Sequence, residues 1–238
     1  MHNRKKVDRA PTESELAALS KKCQVYSTLV SEIFERRAKR DHSTETLTLL
    51  GKMLKMNPDF YSLWNFRREI LLSAYSDLPF AYSAVKFENP EALSIRDQEL
   101  TVSADGIIRN PKSYGAWYHR VWIMRRFHND FDKELQLCKS FLSQDQRNFH
   151  CWNYRRELLK QMEIEGTCPI LSLVQNEFQF SEDKIRENFS NYSSFHHRSI
   201  SLKRLVDEGA STLRVLLPAE LSIVENAIFT EPDDQSAW

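Results

Sequence analysis

The sequence predicts an all-α fold, a right-handed α-α superhelix built from repeated helix pairs. Three observations predict it. Aromatic residues recur at one repeat position, Trp64, Trp117, Trp152, Phe195 and Trp238, each ending a related octapeptide: NPDFYSLW, NPKSYGAW, DQRNFHCW, NFSNYSSF and EPDDQSAW. Apolar residues ahead of each octapeptide step by three, four and seven, the period of a helix with one buried face. With 5 glycines and 8 prolines in 238 residues, the chain also lacks the turn supply of a β sandwich or barrel.

The elements follow in order. Residues 1–11, rich in Arg and Lys, form a flexible arm, and residues 12–238 form a single helical-repeat domain. A first helix spans 12–40: Thr12 and Glu15 have capping-box spacing, Leu16, Leu19, Cys23, Tyr26, Val30 and Ile33 make its stripe, and a basic run from Arg36 to Arg40 ends it. Each repeat then supplies two helices. The first carries Leu47, Leu50 and Leu54; Leu100, Ala104 and Ile107; Leu135, Cys138 and Leu142; Leu171, Val174, Phe178 and Ile185; or Leu221, Val224 and Ile228. It ends at Asn57, Asn110, Asp145, Asn188 or Glu231, and Pro58, Pro111 and Pro232 break it. The second helix starts behind an N-cap residue, Ser113, Asn148, Asn191 or Asp234. Its aromatics three before the anchor and at the anchor are expected to face one side. Residues 73–92 lengthen the first spacing and read as a loop insertion.

Composition narrows the function classes. Thirty-three basic residues balance 33 acidic ones, so no net charge favours nucleic acid. The four cysteines (Cys23, Cys138, Cys151, Cys168) have neither CxxC nor zinc-finger spacing and read as reduced thiols of a cytoplasmic protein. The N-terminus is too polar for a signal peptide, and no apolar run reaches membrane-spanning length. His119, His196 and His197 have no accompanying ligand set, which excludes a zinc reading and leaves structural roles. Arg67, Arg120, Arg155 and Arg198 recur three after the anchor. Recurrence assigns them to architecture, pairing between repeats or stacking on the anchors. No P-loop, nucleophile elbow or dinucleotide fingerprint is present. On periodicity alone the chain is a non-catalytic scaffold that binds another protein along its curved surface.

The pattern Asn-Pro-x-x-Tyr-x-x-Trp-x-x-Arg resembles the repeat of protein prenyltransferase α subunits. The tetratricopeptide repeat, with its steady spacing and different signature, fits less well. NPKSYGAW, RNFHCWNYRR, NFSNYSSFHHRS and DDQSAW look most like the Rab geranylgeranyltransferase type. The shared α subunit of farnesyltransferase and type I geranylgeranyltransferase has the same skeleton and is the alternative. The resemblance implies an enzyme subunit, inactive alone, wrapped around a β subunit that holds zinc and most of the isoprenoid pocket. The complex would transfer geranylgeranyl from its diphosphate, with Mg²⁺, to C-terminal cysteines of Rab GTPases presented by an escort protein.

The resemblance also places site residues. Lys112, near a helix start, matches a lysine beside the leaving diphosphate, where a cation and a helix N-terminus both favour an anion; its bland reading is a solvated loop lysine. Tyr114 matches a tyrosine at the same end of the pocket, although Tyr61 and Tyr192 share its slot, which favours packing. Asn148 and His150 match positions near the diphosphate. Asn148 is equally explained as an N-cap, whereas His150 stands where other repeats carry Ser or Gly. Phe149 replaces a tyrosine of the farnesyl-type relatives, so a hydroxyl-dependent role is absent. Arg147 shares the Lys112 slot and reads as solvated. His2, on the basic arm, would be placed by the resemblance near the partner's metal, an autoinhibitory role. The chain stops at its fifth anchor, so a shortened protein with an uncovered, poorly ordered last helix is expected.

Overall fold

The computed structural model describes residues 9–74, 90–127 and 129–238, and every regular element of the chain described there is helical. The chain divides into two compact units, Met1–Ser76 and Asp77–Trp238.

The first unit holds α1 (Glu13–Ala38), α2 (Thr44–Met56) and α3 (Tyr61–Ala74). The capping box forms: Thr12 N donates to Glu15 Oε2 at 2.8 Å and Glu15 N to Thr12 Oγ1 at 3.3 Å. The expected stripe of α1 does not bury. Ile33 is its one buried residue, while Leu16, Leu19 and Cys23 are exposed, because α1 packs on α2 through its C-terminal half only, where Tyr26 Oη accepts from Asn57 Nδ2 at 2.8 Å.

The second unit holds α4 (Pro90–Arg109), α5 (Tyr114–Met124), α6 (Phe131–Gln144), α7 (Phe149–Glu165), α8 (Ile170–Glu187), α9 (Tyr192–Asp207) and α10 (Leu213–Thr230). Each first helix packs on its second, α4 on α5, α6 on α7 and α8 on α9, while α5, α7 and α9 stack in a row. The insertion is shorter than the sequence suggests: Ser73 and Ala74 close α3, Pro90 opens α4, and 75–89 lie outside the described residues.

The anchor signature is the chemistry of one loop. The side-chain oxygen of Asn57, Asn110, Asp145 or Asn188 accepts the backbone N–H two residues on, at 2.9 to 3.2 Å. This Asx turn stops the first helix. The anchor indoles of Trp64, Trp117 and Trp152 then donate to the carbonyl six residues back, of Pro58, Pro111 or Gln146, at 2.7 to 2.9 Å. All three rings are buried, so the loop is pinned to its helix; Phe195 lacks the N–H and is half-buried.

The recurring arginines join the repeats. Arg120 donates to the Leu100 carbonyl at 2.8 Å and to Ser103 Oγ at 3.0 Å within its own pair, and forks onto Glu134 of the next at 2.7 and 2.8 Å. Arg155 and Glu177, and Arg198 and Glu220, repeat the fork. The same carboxylates accept from their own repeat: Glu134 from Tyr154 Oη at 2.7 Å, and Glu177 from His197 Nε2 at 2.9 Å. Of the two expected roles, pairing between repeats is the one these bonds show. Arg155 lies over Phe180 and Arg198 over Phe178, rings of the first helices.

Two further expectations fail on side-chain direction. The aromatics three before the anchor do not share its side: Tyr61, Tyr114, Phe149 and Tyr192 are 46 to 63% exposed. Each is the first residue of its helix and lies beyond the first helix that covers the anchor one turn later. Leu171 and Leu221 are also exposed, and in α10 the buried residues are Ile223 and Ala227.

Candidate functional site

Lys112 sits in the loop between α4 and α5, and main-chain bonds on both sides fix it. Its N–H donates to Asn110 Oδ1 at 3.1 Å. The preceding carbonyl, of Pro111, accepts Trp117 Nε1 at 2.8 Å from its own repeat and Asn148 Nδ2 at 3.0 Å from the next. Asn148 is also the N-cap of α7, its Oδ1 accepting from the N–H groups of His150 at 3.1 Å and Cys151 at 3.2 Å. One buried amide thus caps the second helix and holds the lysine loop of the first. The ammonium is left projecting, half-exposed and 3.9 Å from Asp145 Oδ2.

Tyr114 begins α5, and Phe149 and His150 begin α7. The Tyr114 ring meets the His150 ring at 4.3 Å, edge to face, and the Phe149 ring at 5.9 Å. The N-termini of α5 and α7 are therefore neighbours, each adding partial positive charge to that of Lys112. His150 is buried, and its Nε2 bonds to nothing. Burial pushes its pKa below the usual histidine value and the nearby Lys112 charge adds to this, against an opposing bond to the Lys112 main chain. The neutral imidazole is the favoured form.

Four of the residues singled out in the sequence, Lys112, Tyr114, Asn148 and His150, thus come together at one junction, and His2 lies outside the described residues. The sequence reading set Phe149 aside, yet its ring touches both Tyr114 and His150. Its slot, aromatic in every complete repeat, carried the signal. Arg147, read as solvated, ties its loop onward by donating to the Ser190 carbonyl. The arrangement can hold an anion and donate hydrogen bonds to it, but offers no nucleophile. Among the described residues no three His, Cys, Asp or Glu side chains converge to bind a metal ion, and no helix is long and apolar enough to cross a membrane.

Comparison with known proteins fits this geometry. The model of the protein prenyltransferase alpha subunit repeat matches residues 43–74, 96–127, 131–162 and 174–205, each holding one anchor from Trp64 to Phe195. The chain is 36% identical to the geranylgeranyl transferase type-2 subunit alpha of Sus scrofa, over all of this chain and 40% of that protein. It is 31% identical to that of Saccharomyces cerevisiae over 92% of this chain and 63% of the relative. The chain thus spans well under half the length of its mammalian relatives. Among solved structures, a chain of Candida albicans protein geranylgeranyltransferase-I complexed with GGPP shares the fold, with a TM-score of 0.64 at 18% identity, covering 99% of this chain and 68% of that one. With four matched repeats across its helix pairs, the chain belongs to the protein prenyltransferase alpha subunit repeat family.

Proposed function

We propose that this chain provides the α subunit of a Rab geranylgeranyltransferase, acting in the cytoplasm with a β subunit that carries the zinc and most of the isoprenoid pocket. The observation that carries the reading is the joined α5 and α7 N-termini, with Lys112, Tyr114 and His150 around them, in a chain 36% identical to type-2 α subunits along its whole length. In the reaction a cysteine thiolate of a Rab protein, presented by an escort protein, attacks the first carbon of geranylgeranyl diphosphate. The carbon–sulfur bond forms, the carbon–oxygen bond breaks, and diphosphate leaves with the electron pair.

Charge on that diphosphate grows as the bond breaks, so a fixed cation and two helix N-termini stabilise the transition state more than the bound substrate. Lys112 supplies the cation. His150, neutral by burial, spends its one ring proton on the Lys112 main chain, so its unbonded Nε2 is an acceptor and the ring serves by positioning the lysine loop rather than by donating to the diphosphate. Tyr114, exposed beside it, offers its hydroxyl. Asn148, with three bonds already made, serves by holding the Lys112 loop. The zinc of the proposal belongs with the β subunit and the Mg²⁺ with the diphosphate, as in the family the chain resembles.

The test is co-expression with a type-2 β subunit, followed by transfer of tritiated geranylgeranyl from its diphosphate to a Rab protein with escort protein present. Transfer is expected from the pair and from neither subunit alone. A pair that fails to assemble, or that prefers farnesyl diphosphate, overturns the proposal.

A further inference from the structure

A second cleft, of 340 Å³, lies among α7, α8 and α9. It is separate from the Lys112 junction: at 1.5 Å per residue, Lys160 beside it stands about 15 Å along α7 from His150. Leu159, Leu173, Val174 and Ile200 make it apolar, and its size lies within the range of small-molecule sites.

Its polar groups are unevenly satisfied. Both lining carboxylates are committed, Glu177 to Arg155 and His197, and Glu163 to Arg204. Arg156 forms no ion pair with a carboxylate among the described residues: its guanidinium bonds the Asn153 side-chain oxygen, and the nearby Glu157, whose charge favours it, is bonded to Arg125 at 2.5 Å. Burial holds the Arg156 guanidinium below the usual arginine range despite the opposing charge of Glu157, so the cation is incompletely hydrated and no carboxylate is bonded to it. One turn on, Lys160 adds a second positive charge on the same face of α7, so the cleft mouth favours an anion. Within the cleft His197 is 2% exposed. Its Nε2 faces Glu177 and therefore carries the proton, which leaves Nδ1 an acceptor, and that atom is buried with no partner. A buried acceptor left unmade costs roughly 1–3 kcal/mol.

We propose that this cleft binds a small amphipathic acid of the N-acyl amino acid class. Its carboxylate lies on Arg156 and Lys160, its N–H donates to His197 Nδ1, and its apolar body rests on Leu173, Val174 and Ile200. This site is independent of the prenyl-transfer reading, since none of its lining residues belongs to the Lys112 junction.

The experiment is saturation-transfer NMR on the intact 238-residue chain with N-acetyl-leucine as probe, at concentrations around 1 mM, where a ligand of this size begins to bind. Saturation is expected for the acid and at least tenfold weaker binding for N-acetyl-leucinamide, which keeps the N–H and body but loses the charge. Arg156→Gln is expected to weaken the acid at least tenfold. Ser201→Phe, which fills the cleft, is expected to abolish it with the helical dichroism unchanged. Should either variant unfold, Lys160→Gln at the exposed mouth is expected to weaken binding at least twofold. Absence of binding by the acid, equal binding of the amide, or full binding by a folded variant with the cleft filled would overturn the proposal.

Discussion

Lys112 owes its position to a carbonyl rather than to its own side chain. Two donors converge on the Pro111 carbonyl, and the ammonium is left half-exposed, with Asp145 at 3.9 Å as a loose partner that an anion can displace. In an assembled enzyme, Lys112→Ala is expected to slow the chemical step by about ten- to a thousand-fold, the scale of one lost electrostatic contact, while lipid binding changes less. Single-turnover kinetics separate the two, and an unchanged rate would return Lys112 to an ordinary surface lysine. His150 gives a pH signature. Its folded pKa lies below the unfolded value of about 6.5, so between the two the unfolded chain binds more protons. The stability from the neutral ring is complete above about pH 6.5 and is lost as pH falls through that value towards the folded pKa. Urea midpoints should therefore drop over that window, and His150→Gln should flatten the drop. A histidine NMR titration placing the His150 midpoint at or above 6.5 would contradict the assignment.

Between helices, two asparagines do the same work in different places, which separates structure from chemistry. Asn148 and Asn191 each cap a second helix and reach back to a loop carbonyl, of Pro111 or Gln146. Replacing either with Ala should cost about 1 kcal/mol for the cap and a further 0.5–1.5 for the lost bond. Only Asn148→Ala should also slow transfer, because only its loop carries Lys112; equal kinetic losses in both variants would make the effect one of general stability. The Arg–Glu forks are buried, so removing one partner strands a charge. Glu134→Ala should cost on the order of 3–5 kcal/mol, and the double variant with Arg120→Met less than the two single changes together, measured by denaturant unfolding. The loop anchors were legible in sequence because Asn, Pro and Trp each perform a local task within a few residues of one another. The forks were half legible. Glu134, Glu177 and Glu220 stand eighteen residues before their anchors with the same regularity as the arginines, but a glutamate in a helix reads as a solvated charge. Only the packing of the next repeat buries it. The exposed tyrosines were misread for a related reason, since periodicity gives a face but not the height at which a neighbour stops covering it. At the site, the sequence named four of the residues by resemblance, but not the Asn148–Pro111 bond that joins two of them.

Within the second unit, burial falls away towards α10. Helix α7 buries eight residues, Trp152, Tyr154 and Leu158 among them, whereas α10 buries Ile223 and Ala227 alone. Leu213, Val215, Leu217, Leu221 and Phe229 stand exposed, Phe229 at 91%. Each large apolar side chain left in water forgoes roughly 1.5–3 kcal/mol of burial, and in a linear stack a repeat draws stability from its neighbours only. Among the described residues, the strongest tie of the helix itself is the fork from Arg198 to Glu220 near its middle, while exposed or half-buried bonds join Ser190 to Glu231 and Ser236 beyond its end. Pro218, inside α10, cannot donate to the helical ladder. Opening of α10 should therefore cost far less than opening of α7 and proceed without disturbing it. Amide hydrogen exchange is expected to be fast from Pro218 to Trp238 and slow across residues 149–165 in the isolated chain. Glu220→Gln, which weakens the fork, should speed exchange in α10 while leaving α7 unchanged. A partner that covers Val215, Leu221 and Phe229 should slow exchange there, because it supplies the apolar contact the helix lacks. If residues 220–230 in the isolated monomer were protected to the level of α7, these polar ties alone would be holding the helix, and the apolar face would contribute nothing to its order.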